Sequence, residues 1–172
     1  GNIYHIDLKK ISMNELAYWS PWPARLLSVD PFEIKHKTPK SVTREFGNDK
    51  WGKLLKKISN KNDFKLADVE ALEEDLDKLI PCFECDYGFY LASAKVANEQ
   101  LIDLYHDTLS PYVDGASCLV ELGAGYGSKL LTLSEISPLN KLPLYAAEYT
   151  QSGCDLISLI AKITNKHGNP AD

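Results

Sequence analysis

The stretch SCLVELGAGYGSKLLTL, residues 117–133, constrains the fold more than any other part of the chain. Its apolar run contains Glu121 and is followed by three glycines at every second position, Gly123, Gly125 and Gly127. A compact apolar run is typical of a parallel strand buried on both faces. Glycines between such a strand and a helix allow a ligand to approach the backbone near the helix N-terminus. The stretch therefore predicts a strand over residues 117–122, a ligand-binding turn, and a helix over about residues 128–136.

A second apolar run repeats this arrangement. Residues 144–148, LYAAE, predict another buried strand that ends in Glu148. Ser152 and Asp155 have the spacing of a capping box, which predicts the start of a helix. An apolar stripe at helical spacing follows, formed by Leu156, Leu159, Ile160 and Ile163. The order strand, helix, strand, helix indicates the opening of a parallel α/β sheet with right-handed crossovers.

The preceding residues have a mainly helical pattern. Prolines and large aromatic residues in residues 1–40 predict an extended or turning segment. Helical spacing then predicts helices over residues 41–58, 66–80 and 94–109, the second ended by Pro81 and the third capped by Ser93. The predicted fold class is therefore α/β, with a helical N-terminal region over residues 1–112 and a parallel α/β region over residues 113–172.

Composition argues against several partner classes. The 172-residue chain carries a net charge of −5, which disfavours general nucleic-acid binding through clustered cations. It contains no run of about 18 apolar residues, so no membrane span is predicted, and its N-terminus lacks an apolar signal core. Four cysteines in a chain of this size predict reduced thiols and a cytoplasmic protein. The pair Cys82-x-x-Cys85 lacks the further ligands of a zinc site, so no metal is expected.

The glycine spacing separates the ligand classes. A phosphate-gripping P-loop needs a longer loop ending in Lys-Ser/Thr, whereas this chain has Ser128-Lys129, so that alternative is rejected. The dinucleotide fingerprint G-x-G-x-x-G/A matches at Gly123 and Gly125 but places its third position on Ser128. A serine there is not prohibitive, so an NAD-linked or nucleotide-sugar oxidoreductase of Rossmann type remains open.

The pattern acid-x-Gly-x-Gly-x-Gly, running from Glu121 to Gly127, resembles motif I of the class I S-adenosylmethionine-dependent methyltransferases. The resemblance implies a Rossmann-like sheet, usually of seven strands, of which this chain offers two. It implies that residues 113–172 are part of a cofactor-binding domain and that residues 1–112 form a helical cap on the acceptor side. It implies S-adenosylmethionine as cofactor, with an acid near its amino-acid end and another at its ribose hydroxyls. Tyr149 and Gln151 are expected beside the adenine. The predicted cofactor-binding residues are Glu121, Gly123, Ala124, Gly125, Tyr126, Gly127, Glu148 and Tyr149.

The acceptor side is less defined. The segments SPWPARLL and REFGNDKWGKLL, with ELGAGYG, look similar to bacterial sugar O-methyltransferases, which implies a sugar or another small hydroxylated acceptor. His106 is the first choice for a base, but its position on a helix surface favours a structural role, and no catalytic residue is assigned. With two strands of the usual seven, the chain is expected to be either a fragment of a longer enzyme or a truncated product that binds the cofactor poorly and is inactive. A third hypothesis is a non-catalytic interaction module that forms a homo-oligomer through its exposed sheet edge.

Overall fold

The structure, a computed structural model, describes residues 8–20 and 38–163. The chain divides into two compact units, one formed by residues 1–36 and 75–100 and the other by residues 37–74 and 101–172. The predicted functional boundary between residues 112 and 113 stays a prediction. In the described part of the chain, no helix has both the length and the apolarity needed to cross a membrane. Trp22 and Phe32, in the proline-rich segment, lie outside the described residues.

The first unit is built on an antiparallel sheet. Its elements are β1 (Lys9–Lys10), α1 (Met13–Trp19), β2 (Leu79–Glu84) and β3 (Gly88–Ser93), and the strand order is β1-β3-β2. A capping box between Ser12 and Glu15 starts α1. The extended or turning segment predicted over residues 1–40 is therefore wrong at Met13–Trp19, which is helical. Leu16 of this helix packs with Ile11 and Leu91 into a small core. Pro81 lies on the edge strand β2, where its missing N–H removes no hydrogen bond from the interior of the sheet.

The second unit contains the remaining helices and a parallel strand pair. Its helices are α2 (Pro39–Val42), α3 (Lys53–Ile58), α4 (Leu66–Glu73), α5 (Ala94–Leu109, which begins in the first unit), α6 (Ser128–Leu133) and α7 (Gln151–Ile163). A π-helix spans Thr43–Gly52, 3-10 helices span Ser110–Gly115 and Leu139–Lys141, and the strands are β4 (Leu119–Leu122) and β5 (Leu144–Ala147). The predicted helix over residues 41–58 is thus helical throughout, with a π-helical middle.

The helix predicted over residues 66–80 is wrong in its second half. Helix α4 ends at Glu73, and Leu79 and Ile80 instead begin strand β2, paired with Ser93 and Ala92 of β3. Pairing with β3 therefore overrides the helical spacing of Leu79 and Ile80. The predicted helical N-terminal region accordingly contains a three-stranded antiparallel sheet. The predicted helix over residues 94–109 is confirmed, and its cap is the Ser93 hydroxyl, which accepts a hydrogen bond from the N–H of Val96 at 3.2 Å.

Strands β4 and β5 pair in parallel, as predicted, in the register Leu119 with Leu144 through Leu122 with Ala147. The mixed α/β class is therefore confirmed, while the assignment of this strand pair to the start of a Rossmann-like methyltransferase sheet stays a prediction. The prediction that both faces of this sheet are buried is wrong. Val120 is 49% exposed, Leu122 81% and Tyr145 46%. Val120 and Leu122 lie on one face of β4 because side chains alternate along a strand. Tyr145 is paired with Val120 and lies on the same face. This face of the sheet is therefore open.

The core of the second unit joins the π-helix and helices α3, α4 and α7. Ile58, Val69, Leu156 and Ile160 are fully inaccessible to solvent within it. Leu156 and Ile160 belong to the predicted apolar stripe of α7, which is therefore its buried face. This packing fixes the N-terminal end of α7 beside β5 and the glycine turn, where the predicted site residues lie.

Candidate functional site

The glycine turn joins β4 to α6 through three residues with left-handed backbone conformations. The φ angles of Gly123, Gly125 and Gly127 are +70°, +60° and +78°. Only glycine adopts this region without steric cost. A Cβ atom on Gly123 would meet no atom within 4 Å, whereas one on Gly125 would lie 2.8 Å from Cζ2 of Trp51. The turn is thus packed against protein at Gly125 and open at Gly123.

The backbone amides of the turn are largely paired within the protein. The N–H groups of Gly123 and Ala124 both donate to the carbonyl oxygen of Ala147, at 2.8 and 3.1 Å. The N–H of Gly127 donates to the carbonyl oxygen of Ala124 at 2.8 Å. The N–H of Gly125 donates to Oε2 of Glu148, also at 2.8 Å. These four amides are therefore not free to bind a phosphate group.

Glu148 directly follows β5 and links it to the turn. Its Oε2 atom accepts from Gly125, and its Oε1 atom accepts from the backbone N–H and the hydroxyl of Thr150, at 2.9 and 2.8 Å. The predicted acid therefore lies against the predicted glycine turn. The carboxyl ends of two neighbouring parallel strands meet at one edge of a sheet, which is where α/β proteins bind ligands.

The capping box predicted at Ser152 and Asp155 is wrong. Helix α7 begins at Gln151, so Thr150 occupies the cap position, and its hydroxyl accepts from the N–H of Gly153 at 3.3 Å. The Ser152 hydroxyl instead donates to the carbonyl oxygen of Gly47 in the π-helix, at 2.6 Å. Asp155 accepts from the side-chain amide of Gln151. A threonine cap two residues earlier was compatible with the sequence, and in the structure the Ser152 hydroxyl is engaged with Gly47 and does not cap α7.

Gly153 and Trp51 support the site and were not predicted. A Cβ atom on Gly153 would lie 2.5 Å from Cγ of Glu148 and 3.0 Å from the carbonyl oxygen of Gly125. The Glu148 side chain therefore packs against the first turn of α7 at Gly153, where the absence of a side chain leaves room for it. A glycine inside a helix start is an unfavourable choice unless something packs closely against it. The glycine at the start of the predicted helix was therefore a sequence signal of close packing at this position.

The side chain of Tyr126 lies in the hydrophobic core. Its ring packs edge-on against Trp51 with centroids 5.4 Å apart, and its hydroxyl lies near Glu73 and Ser128. Burial, reinforced by the charge of Glu73, raises the pKa of Tyr126 well above its ordinary value, so the phenol stays protonated. The residue can contribute its backbone to a ligand site, while its side chain anchors the turn.

Glu121 carries an unpaired buried oxygen. Its Oε2 atom is inaccessible to solvent and has no hydrogen-bond partner within the described residues. Burial raises the pKa of the Glu121 carboxyl, and the charge of Lys129 and a backbone hydrogen bond from Leu130 offset this effect only in part. A buried acceptor without a donor costs about 1–3 kcal/mol. This carboxylate therefore destabilises the folded protein unless a ligand supplies the missing donor.

We expect Glu121→Gln to stabilise the protein without ligand at pH 7, by about 1 kcal/mol, or roughly 2–4 °C in Tm. Because the folded-state pKa is raised, the cost of ionisation is fully present above that pKa and is absent below the ordinary value of 4.5. The stabilisation should therefore disappear as the pH falls through this window. Thermal unfolding at a series of pH values measures it, with Glu135→Gln as the control. A pH-independent difference between Glu121→Gln and the wild type would contradict the role of ionisation.

The open part of the site is apolar. Leu122, Gly123 and Tyr149 are all exposed, and they lie at the carboxyl ends of β4 and β5. Tyr149, 65% exposed, directly follows the ribose-acid candidate Glu148. The predicted flank Gln151 is engaged with Asp155 on the surface of α7. The exposed backbone of Gly123 and the exposed side chains of Leu122 and Tyr149 are therefore the accessible groups at this edge of the sheet.

The remaining chemical candidates lie outside this cluster. The Nε2 atom of His106 donates to the carbonyl oxygen of Ser137 at 2.7 Å, and its Nδ1 atom lies 3.2 Å from Asp107. The contacts to Ser137 and Asp107 raise the pKa of His106, which disfavours the neutral form that a base requires. Cys82 and Cys85 are free thiols on the β2–β3 hairpin. Across residues 8–20 and 38–163, no group of three His, Cys, Asp or Glu side chains could hold a metal ion.

Comparison with known proteins found no matching family model, no matching curated protein and no matching solved structure. The glycine turn and Glu148 are therefore the features of this protein that indicate a function.

Proposed function

We propose that the second unit is the cofactor-binding part of a class I S-adenosylmethionine-dependent methyltransferase, acting on a hydroxyl of a sugar or another small acceptor. One observation carries the proposal. The glycine turn after β4 and the acid after the parallel strand β5 meet at one sheet edge, 2.8 Å apart between the Gly125 nitrogen and Glu148 Oε2. This arrangement brings a closely approachable backbone and a hydroxyl acceptor to the same place.

The pairing of the turn amides favours an adenosyl sulfonium cofactor over a dinucleotide. A pyrophosphate is normally held by free backbone N–H groups at a glycine turn and helix start. Here the N–H groups of Gly123, Gly125 and Gly127 are already bonded to protein oxygens. S-adenosylmethionine has no phosphate, so it has no pyrophosphate to place against these amides. The third glycine also supports this choice, since a Cβ on Gly127 would lie 3.2 Å from Ile157 of α7, so close helix packing falls on Gly127 and not on Ser128.

The residues present fit parts of the cofactor. Glu148 can accept from a ribose hydroxyl, the exposed Gly123 leaves room for close approach, and Tyr149 offers an aromatic face beside the adenine. The unpaired oxygen of Glu121 is inaccessible to solvent, so an ammonium group would reach it only after the surrounding side chains move. When bound, the cofactor supplies an electrophilic methyl group. These residues would bind and orient it, and the acceptor and its base belong to parts of the site that are not assigned.

Calorimetric titration with S-adenosylhomocysteine, compared with NAD, tests this proposal. Gly123→Ala should weaken S-adenosylhomocysteine binding by roughly tenfold or more, since 1.4 kcal/mol corresponds to a factor of ten. The added methyl group would project into the open space that the ligand needs. Gly88→Ala is the matched control, because Gly88 also has a positive φ of +87°, with only the end of Lys10 near its Cβ position. It carries a similar backbone strain away from the turn and should leave the affinity unchanged.

The outcomes separate the alternatives. Binding of NAD alone would overturn the methyltransferase proposal in favour of a Rossmann oxidoreductase. Equal weakening by Gly123→Ala and Gly88→Ala would show that backbone strain, and not ligand contact, is being measured. A second candidate, a non-catalytic interaction module, is favoured by the exposed apolar face of Val120, Leu122 and Tyr145. Absence of binding to both ligands, together with concentration-dependent self-association in sedimentation, would support that candidate.

A further inference from the structure

We infer that Glu148 accepts a hydrogen bond from one ligand hydroxyl and not from two, and that Thr150 is the residue that sets this limit. The inference rests on the proposed adenosyl site. It makes Thr150 a specificity-determining residue, because it limits how many ribose hydroxyls of the ligand can bind Glu148.

The number of lone-pair positions on the Glu148 carboxylate limits how many hydrogen bonds it can accept from a ligand. An ionised carboxylate offers about four lone-pair positions, two on each oxygen. Oε1 of Glu148 accepts two hydrogen bonds, from the backbone N–H and the hydroxyl of Thr150, at 2.9 and 2.8 Å. Oε2 accepts one, from the N–H of Gly125 at 2.8 Å. Within the described structure this leaves a single acceptor position, on Oε2, the oxygen that faces the glycine turn.

The hydroxyl of Thr150 is itself fixed in this role. It accepts from the N–H of Gly153 at 3.3 Å, and its own proton goes to Oε1 of Glu148. Thr150 is buried, with only 4% of its surface exposed, so water does not compete for these bonds. The Glu148 side chain also packs against the first turn of α7 at Gly153, which restricts its movement. The carboxylate therefore has little freedom to turn Oε1 toward a ligand.

A second ligand hydroxyl would have to displace one of these protein donors. Releasing the N–H of Gly125 or of Thr150 leaves a backbone donor to find a new partner, which opposes binding. Releasing the Thr150 hydroxyl also breaks its link to the start of α7. A ribose diol is therefore expected to present one hydroxyl to Glu148 and direct the other elsewhere.

Two analogues of S-adenosylhomocysteine, one lacking the 2′-hydroxyl and one lacking the 3′-hydroxyl, test this limit by calorimetry. We expect one analogue to bind roughly tenfold or more weakly than the parent, as for the loss of a hydrogen bond to a charged group, and the other within about threefold of the parent. Equal losses for both analogues would overturn the inference while leaving the cofactor site intact. In the complex, the amide protons of Gly125 and Thr150 should keep their slow solvent exchange in NMR spectra.

Thr150→Val and Thr150→Ser identify the residue responsible. Valine removes the hydroxyl at nearly constant shape and frees a second acceptor position, on Oε1, so the difference between the two analogues should fall below about threefold. Serine keeps the hydroxyl and should keep the difference. The titrations are run at a temperature at which circular dichroism shows each variant to be folded. An unchanged difference in Thr150→Val would overturn the assignment to Thr150, and absence of binding to the parent ligand by the wild type would overturn the cofactor site itself.

Discussion

Gly125→Ala is expected to destabilise the second unit by about 3 kcal/mol, from about 1–2 kcal/mol for an alanine in the left-handed region and about 1–3 kcal/mol for overpacking. Gly125 has a φ of +60°, and its new Cβ would lie 2.8 Å from Cζ2 of Trp51. The indole cannot withdraw easily, because it is buried in the core against Phe46 and Tyr126. Urea unfolding followed by tryptophan fluorescence and by circular dichroism measures the loss.

The control for this prediction is Gly123→Ala, which has a similar backbone conformation but no atom within 4 Å of the new Cβ. This variant measures the cost of placing alanine in the left-handed backbone conformation, without a clash with Trp51. Trp51→Phe removes the ring atoms that the new methyl group would meet, so the double variant should lose less than the sum of the two single losses, by about 1 kcal/mol or more. Equal losses in Gly123→Ala and Gly125→Ala, with additive effects of Trp51→Phe, would contradict a close contact at this point.

The features that the sequence predicted correctly are those determined by neighbouring residues. The apolar run before Glu121 and the alternating glycines determine a strand and a turn locally, and both are present. The acid at the end of LYAAE meets this turn because β4 and β5 pair in parallel, which follows from the strand–helix–strand order. The class of the fold and the position of the candidate site were therefore accessible without the structure.

The features that were missed depend on residues distant in the sequence. Leu79 and Ile80 continue the helical spacing of α4, but their pairing with β3 places them in a strand. Trp51 belongs to the π-helix, and nothing in its own neighbourhood indicates that it will pack against Gly125. Burial of β4 on both faces was inferred from its apolar run, yet a two-stranded sheet leaves Val120 and Leu122 uncovered. Local pattern predicts what a segment can form, and tertiary packing decides which option is realised.

Gly153→Ala is expected to destabilise the second unit by about 2–4 kcal/mol through crowding and the loss of hydrogen bonds to Glu148, although alanine normally stabilises a helix by about 1 kcal/mol relative to glycine. The new Cβ would lie 2.5 Å from Cγ of Glu148 and 2.9 Å from the Thr150 hydroxyl. Glu148 must then leave its place, which breaks its bond to the N–H of Gly125. Urea unfolding measures the change, with Gly115→Ala as the control, because that site has an ordinary φ and open space.

A Glu148→Ala background shows which contact makes Gly153 necessary. With Cγ of Glu148 removed, the closest clash disappears, and Gly153→Ala should cost at least about 1 kcal/mol less than in the wild type. If the cost is unchanged, the contacts with the Thr150 hydroxyl at 2.9 Å and with the carbonyl oxygen of Gly125 at 3.0 Å are responsible. If the cost falls, Glu148 is the element that couples the start of α7 to the glycine turn. In that case Gly153→Ala should also abolish S-adenosylhomocysteine binding, since it displaces the carboxylate that the proposed ligand requires.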